Sequence, residues 1–176
     1  MADRPDRAGS SRRPMVLVLH GPNLNLLGER EPDVYGNLSL AEIDRRIAAG
    51  AEALGLGVRS VQSNLEGELV TEIQQARTWA AAVVINPAGY SHTSVAIRDA
   101  VAAVSIPVVE VHLSNPLARE DFRHADLVGG VARGVVSGFG WKGYFLALQA
   151  VADFLTDGEA AGSSGSDGRS AEDGQT

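Results

Sequence analysis

Three short polar groupings interrupt an otherwise apolar chain, and they hold the residue types that move protons and grip anions. In "VVEVHLSN" (108–115), Glu110 and His112 stand two apart in a β-branched run, a spacing that puts both side chains on one face of a strand. A carboxylate beside an imidazole fixes the ring's tautomer and favours its protonated form, which suits a general acid. Two other readings of the pair stay open: a buried polar pair that closes a strand end, and part of a metal site. Against the metal stand the lack of cysteine and of any His-x-x-x-His or His-Glu-x-x-His spacing. "INPAGYSHTS" (85–94) supplies Asn86 and His92. The third grouping, "LHGPNLNLLGEREPDVYG" (19–36), leaves an apolar run at His20 and at once gathers Asn23, Asn25, Arg30 and Tyr35 in a loop punctuated by Gly and Pro. One histidine at a strand end is commonly structural. Three together, His20, His92 and His112, point to a shared pocket.

The elements that must position these groups are legible from periodicity. "MVLVLH" (15–20), "VRSVQ" (58–62), "AVVIN" (82–86), "VVEVHL" (108–113) and "GVVSG" (134–138) are short runs bounded by turn residues, as strands are. Between them the pattern turns helical. "SLAEIDRRIAAGAEALG" opens on a capping box, Ser39-x-x-Glu42, and stops at Gly55. "EGELVTEIQQARTWA" keeps Leu69, Ile73 and Ala76 on one face, and "SVAIRDAVAAV" and "YFLALQAVADFL" are two further helices. Alternating strands and helices with near-continuous apolar strands predict an α/β domain. The expected form is a flavodoxin-like, doubly wound sheet of five parallel strands with helices on both faces. Ligands of such sheets bind outside the carboxyl ends of the strands, where the three polar groupings fall.

Composition narrows the partners. The chain has 176 residues, 44 % of them hydrophobic, enough for one domain with a real core. Its net charge is −7; residues 1–14 carry +2 and residues 156–176 carry −4, leaving −5 on the body. An acidic body does not suit nucleic acid, and no apolar run approaches a membrane span. The basic N-terminus lacks the apolar stretch of a secretory signal, so a soluble cytoplasmic protein is expected. Residues 1–14 and the acidic, Gly/Ser-rich 156–176 lack the apolar side chains that repay ordering. They are expected to be a disordered extension and a disordered tail around a catalytic domain at 15–155. "GFGWKG" (138–143) fits the spacing of a dinucleotide fingerprint, but no second strand with an acidic residue follows it. Gly138, Gly140 and Gly143 are therefore expected to serve close strand–helix packing.

Taken in order, "GPNLNLLGEREPDVYG", "QSNLEGEL", "INPAGYSHTSVAIRDA", "PVVEVHLSN…RE.FR" and "GFGWKGY" resemble the type II 3-dehydroquinate dehydratases over roughly residues 15–155. The resemblance implies a flavodoxin-like subunit in a trimer-based assembly, commonly a dodecamer. It implies an anti elimination of water from 3-dehydroquinate through an enolate, in the shikimate or quinate pathway, with no metal and no organic cofactor. By motif position, Tyr35 resembles the base that removes the C2 proton, and Arg30 the arginine that stabilises its phenolate. Asn23 matches the asparagine that reaches the enolate oxygen through a water. His112, oriented by Glu110, resembles the general acid. Asn86, His92 and Arg123 match substrate-holding positions, the Leu113 backbone with Ser114 matches a carboxylate cradle, and Asp99 matches a residue that reaches a neighbouring subunit's site. The chain departs from the family pattern at His20 (usually Asn), Leu65 and Leu117 (usually His), and Ala125-Asp126-Leu127 (usually His-Ser-Tyr). His20 is expected to add an ionisable group at the rim beside Asn23. A non-catalytic, flavodoxin-like binding module for a cyclic hydroxy acid is the alternative.

Overall fold

The computed structural model describes residues 13–29 and 38–163. Five strands, β1 (Met15–His20), β2 (Gly57–Gln62), β3 (Ala82–Asn86), β4 (Val108–His112) and β5 (Gly134–Ser137), form one parallel sheet in the order β2-β1-β3-β4-β5. This is the flavodoxin-like order expected from the alternation, and the five strands lie within a residue of where the apolar runs placed them. Four helices cover it: α1 (Leu40–Ala53), α2 (Glu66–Ala76), α3 (Val95–Ala103) and α4 (Gly143–Ser163). Residues 1–12 and 164–176 of the expected terminal extensions lie outside the described residues. The α4 backbone stays helical to Ser163, past Leu155.

Strand alternation decides which helix covers which face. Val16, Val18, Ala82, Val84, Val109 and Val111 point to one side, where Ile43 and Ile47 of α1 and Tyr144 and Leu148 of α4 close over them. Leu17, Leu19, Val83, Ile85 and Val108 point to the other side, against Leu69 and Ile73 of α2 and Ile97 and Val101 of α3. Two apolar layers on one sheet are what a doubly wound fold requires. The helix starts follow capping chemistry. The Ser39 hydroxyl accepts from the Glu42 backbone N–H at 3.3 Å, and the Ser94 hydroxyl from that of Ile97 at 2.8 Å.

The crossover that matters lies between β1 and β3, where the chain direction of travel across the sheet reverses and a crevice opens. His20 and Asn86 are register partners at its lip. Just beyond them, the Gly21 N–H donates to the Asn86 carbonyl at 2.8 Å. A Cβ on residue 21 would lie 2.6 Å from the Pro87 carbonyl oxygen, so only glycine lets the two strand ends close up.

Candidate active site

A cavity of about 230 Å³ opens at the carboxyl ends of β1, β3 and β4. Seven of the residues singled out in the sequence line it: Asn23, Asn86, His92, His112, Leu113, Ser114 and Arg123. Each is set by its local backbone. Asn23 sits in the left-handed region at φ 68°, a conformation asparagine tolerates, and its N–H donates to Asn64 Oδ1 at 2.9 Å. Asn86 ends β3, and its Oδ1 accepts from the Ala88 N–H at 3.1 Å. His92 lies in a single helical turn, Tyr90–Thr93, with Nδ1 2.7 Å from the Ala125 carbonyl. The Arg123 Nε donates to Glu120 at 2.7 Å. Glu120's own backbone and this guanidinium hold its carboxyl below the usual carboxylate value.

Behind β4, the carbonyls of His112, Leu113 and Ser114 are occupied by the N–H groups of Gly138 and Gly140, at 2.9–3.2 Å. Both glycines have positive φ, 87° and 57°, which the turn needs. Two of the three glycines expected to serve close packing therefore shape a turn. Gly143 does meet the expectation: a Cβ there would lie 3.3 Å from Val111.

Glu110 and His112 share a face of β4, as their spacing requires. His112 Nε2 and Glu110 Oε1 are 2.7 Å apart, with Glu110 fully buried and His112 edging the cavity. With Nε2 committed to Glu110, Nδ1 is the ring nitrogen left for a cavity occupant. Burial raises the Glu110 pKa above the usual carboxylate value, against the opposing pull of His112. The Asp126 carboxylate adds to the rise. Glu110 Oε2 makes no hydrogen bond of ordinary geometry among the described residues, yet ligand atoms of Glu110, His112 and Asp126 all lie within 4.8 Å of one another. Among the described residues these three are the group that could share a cation. A cation there would compete with the His112–Glu110 hydrogen bond.

His20 departs from expectation. It lies behind the cavity wall, fully buried, and is not among the lining residues. Strand parity puts His20 with Val16 and Val18 on the α1/α4 face, where its ring is held by side chains of both helices. There Nε2 lies 2.9 Å from Asp44 Oδ1 on α1, and Nδ1 lies 2.8 Å from the Tyr144 hydroxyl on α4. Burial pushes the Tyr144 pKa far above its usual value, so this hydroxyl stays neutral, while a hydrogen bond from the Asn86 side chain opposes the rise.

The profile of the family described as dehydroquinase class II matches residues 14–152. The chain belongs to that family. It is 58 % identical over 138 residues to a 3-dehydroquinate dehydratase of Pseudomonas aeruginosa, covering 78 % of this chain and 93 % of the relative. It is 53 % identical over 143 residues to that of Acaryochloris marina, covering 81 % and 96 %. The crystal structure of a type II dehydroquinase from Propionibacterium acnes superposes with a TM-score of 0.77 at 42 % identity, over 79 % of this chain and 96 % of that one.

Arg30 and Tyr35 lie outside the described residues. Asp99 is exposed on α3, 2.7 Å from Arg98, and does not line this subunit's cavity. Sequence reasoning passed over Arg119, which lines the cavity four residues before Arg123. Its signal was the cationic pair at i, i+4 beside a proposed anion cradle. Asp44 and Tyr144 were also missed. Of the departures from the family pattern, Leu65 and Leu117 are exposed, and Asp126 approaches Glu110. No helix among the described residues is long and apolar enough to cross a membrane.

Proposed function

We propose that this chain is a hydro-lyase that converts 3-dehydroquinate to 3-dehydroshikimate and water, serving the shikimate or quinate pathway. The observation that carries the reading is the His112–Glu110 pair at 2.7 Å, at the edge of a cavity lined by Asn23, Asn86, His92, Ser114 and Arg123, in a chain of the class II dehydroquinase family.

The elimination needs a base for the C2 proton, a place for charge on the enolate oxygen, and an acid for the departing hydroxyl. Tyr35 is the base. A tyrosine of pKa about 10 is little ionised at neutral pH, and lowering it by about 3 units takes roughly 4 kcal/mol in favour of the phenolate. The guanidinium of Arg30 supplies that stabilisation, more strongly when water is excluded. Asn23 reaches the enolate oxygen through a water. His112, with Nε2 held by Glu110, delivers the proton to the leaving hydroxyl. Asn86, His92 and Arg123 hold the substrate, and the Leu113 backbone with Ser114 cradles its carboxylate. Asp99 completes the site of a neighbouring subunit, so the working form is a trimer-based homo-oligomer, a dodecamer in full assembly, in the cytoplasm. The reaction needs no metal and no organic cofactor.

The test is direct. The purified full-length protein is mixed with 3-dehydroquinate without metal or nucleotide, and the ultraviolet absorbance of the conjugated enone product is followed. Turnover that survives borohydride and drops by at least about a hundredfold in Tyr35→Phe is expected, the scale of losing a general base. No turnover from a folded oligomer overturns the reading and favours a binding module.

A further inference from the structure

The motif "QSNLEGEL" supplies no residue to the cavity wall, yet two stretches of that wall are tied to it. Asn64, an exposed residue between the end of β2 and the start of α2, accepts the Asn23 N–H on its Oδ1 at 2.9 Å. Gln62 Nε2 donates to the same oxygen at 3.1 Å and to the Gly21 carbonyl at 3.3 Å. The Tyr90 hydroxyl in turn donates to the Asn64 backbone carbonyl at 3.0 Å. Chemistry fixes the donor in each of these bonds. A backbone N–H can only donate, so the Asn64 atom it meets is the oxygen. A backbone carbonyl can only accept, so Gln62 turns its Nε2 to one and Tyr90 its O–H to the other. The anchoring segment is itself held: the Ser63 N–H donates to the His20 carbonyl at 3.0 Å, and the Ser63 hydroxyl accepts from the Leu65 N–H at 2.9 Å.

We propose that Asn64 is a positioning residue for the cavity: its side chain holds Asn23 in the left-handed conformation, and its backbone carbonyl holds the Tyr90–Thr93 turn that carries His92. Asn23 has φ 68° and ψ −2°, a region that asparagine tolerates without preferring, and no side-chain hydrogen bond caps the short turn Leu24–Leu26 that follows. A residue in that region stays there only when its surroundings over-determine it. An acceptor set against its N–H fixes the peptide plane from which its side chain departs. Asn64 lies 41 positions from Asn23 and 26 from Tyr90 in the sequence, and it does not line the cavity itself. One residue outside the pocket thus ties the 22–27 wall to the 86–92 wall.

The two ties can be cut separately. Asn64→Ala removes the acceptor for Asn23 and leaves the backbone carbonyl for Tyr90. Tyr90→Phe does the reverse, and Asn64→Asp keeps an oxygen in the same place. Because the position is exposed, Asn64→Ala is expected to fold. In full-length protein without ligand, hydrogen–deuterium exchange at the Asn23 amide is expected to be about tenfold faster in Asn64→Ala than in the parent, the scale of one hydrogen bond. In Asn64→Asp and Tyr90→Phe it is expected to stay within about twofold of the parent. The kinetic arm rests on the dehydratase reading above, and the exchange arm does not. With 3-dehydroquinate, Asn64→Ala is expected to lose about tenfold in kcat with KM nearly unmoved, because Asn23 acts on charge that develops during the reaction. Tyr90→Phe is expected instead to raise KM about threefold, because His92 holds the substrate. Asn64→Asp is expected to restore kcat to within about twofold of the parent. A merely structural Asn64 would lower the melting temperature of Asn64→Ala and leave Asn23 exchange as it is in the parent. If folded Asn64→Ala exchanges its Asn23 amide as the parent does, or if Asn64→Asp behaves as Asn64→Ala, the proposal is wrong. An unchanged KM in Tyr90→Phe would overturn the second tie. A parent without turnover but with the expected exchange pattern would remove the dehydratase reading and leave this one standing.

Discussion

Glu110 sits fully buried between two neighbours of opposite effect, His112 at 2.7 Å and the Asp126 carboxylate. Burial dominates, so the folded protein holds the Glu110 proton more tightly than the unfolded chain, whose carboxyl titrates near the ordinary 4.5. Above that value the unfolded state has lost a proton that the folded state keeps, and stability falls with rising pH until the raised folded pKa is passed. Below the ordinary value the group contributes nothing to the pH dependence. Glu110→Gln removes the titration. The difference in thermal midpoint between variant and parent is expected to move in the variant's favour as pH rises from about 4.5 toward neutrality. Parallel midpoint curves would show that the carboxyl is not perturbed. The same variant is expected to lose turnover, because Gln cannot stabilise a charged His112 as a carboxylate does. The pairing of these two residues was readable from their spacing alone. The carboxylate of Asp126 beside them was not, because it comes from a loop whose path no periodicity specifies. His20 shows the complementary failure: its position at the strand end was legible, but its burial under α1 and α4, against Asp44 and Tyr144, was not.

Strand ends and the turns between them build the cavity, and their tolerance to change differs from place to place. Gly21→Ala would put a methyl 2.6 Å from the Pro87 carbonyl, where β1 and β3 close on each other. It is expected to cost about 1–3 kcal/mol in denaturant unfolding, the scale of overpacking, and to raise KM, since Pro22 and Asn23 on one side and Asn86 on the other line the cavity. A variant as stable as the parent with unchanged KM would show that the strand ends have room to part. Ser94→Ala removes the hydroxyl that caps α3 at 2.8 Å and is expected to cost about 1 kcal/mol with KM unmoved, because Ser94 does not line the cavity. The strands themselves were legible because β-branched runs between turn residues have few other uses. The helical turn Tyr90–Thr93 and the short 3-10 turns Pro116–Ala118 and Asp121–Arg123 were not, although they carry His92 and Arg123 to the cavity. Segments of three or four residues have too little periodicity to declare themselves, and only their capping residues, such as Asn115 accepting from the Leu117 N–H at 3.1 Å, leave a mark.

The assembled chain places every described candidate site residue except Asp99 in or directly beneath one cavity. Asp99 is exposed on α3, so the proposed role at a neighbouring subunit can be tested by mixing chains. Co-expressed Tyr35→Phe and Asp99→Asn chains, each weak alone, are expected to regain turnover when assembled together. A site with its own Tyr35 then meets a neighbour's Asp99. Additive residual rates from the mixed oligomer would place Asp99 outside the chemistry. The fold class was legible because alternation and strand hydrophobicity agree with each other. The contacts Asp44–His20–Tyr144 were not, because they join residues 24 and 124 positions apart. The only sequence trace is a tyrosine on the face of helix α4 that is otherwise apolar, a side chain that needs a partner once buried. One feature of this architecture reaches beyond catalysis. The cavity wall is made by strand ends and by segments 22–27, 86–92 and 112–123, while the proposed base, Tyr35, belongs to a different stretch of chain. Grip and the proposed base are thus inherited separately. A single change at Tyr35 would leave a protein that still captures its ligand and never lets it react, turning a catalyst into a reservoir or a sensor without rebuilding the fold.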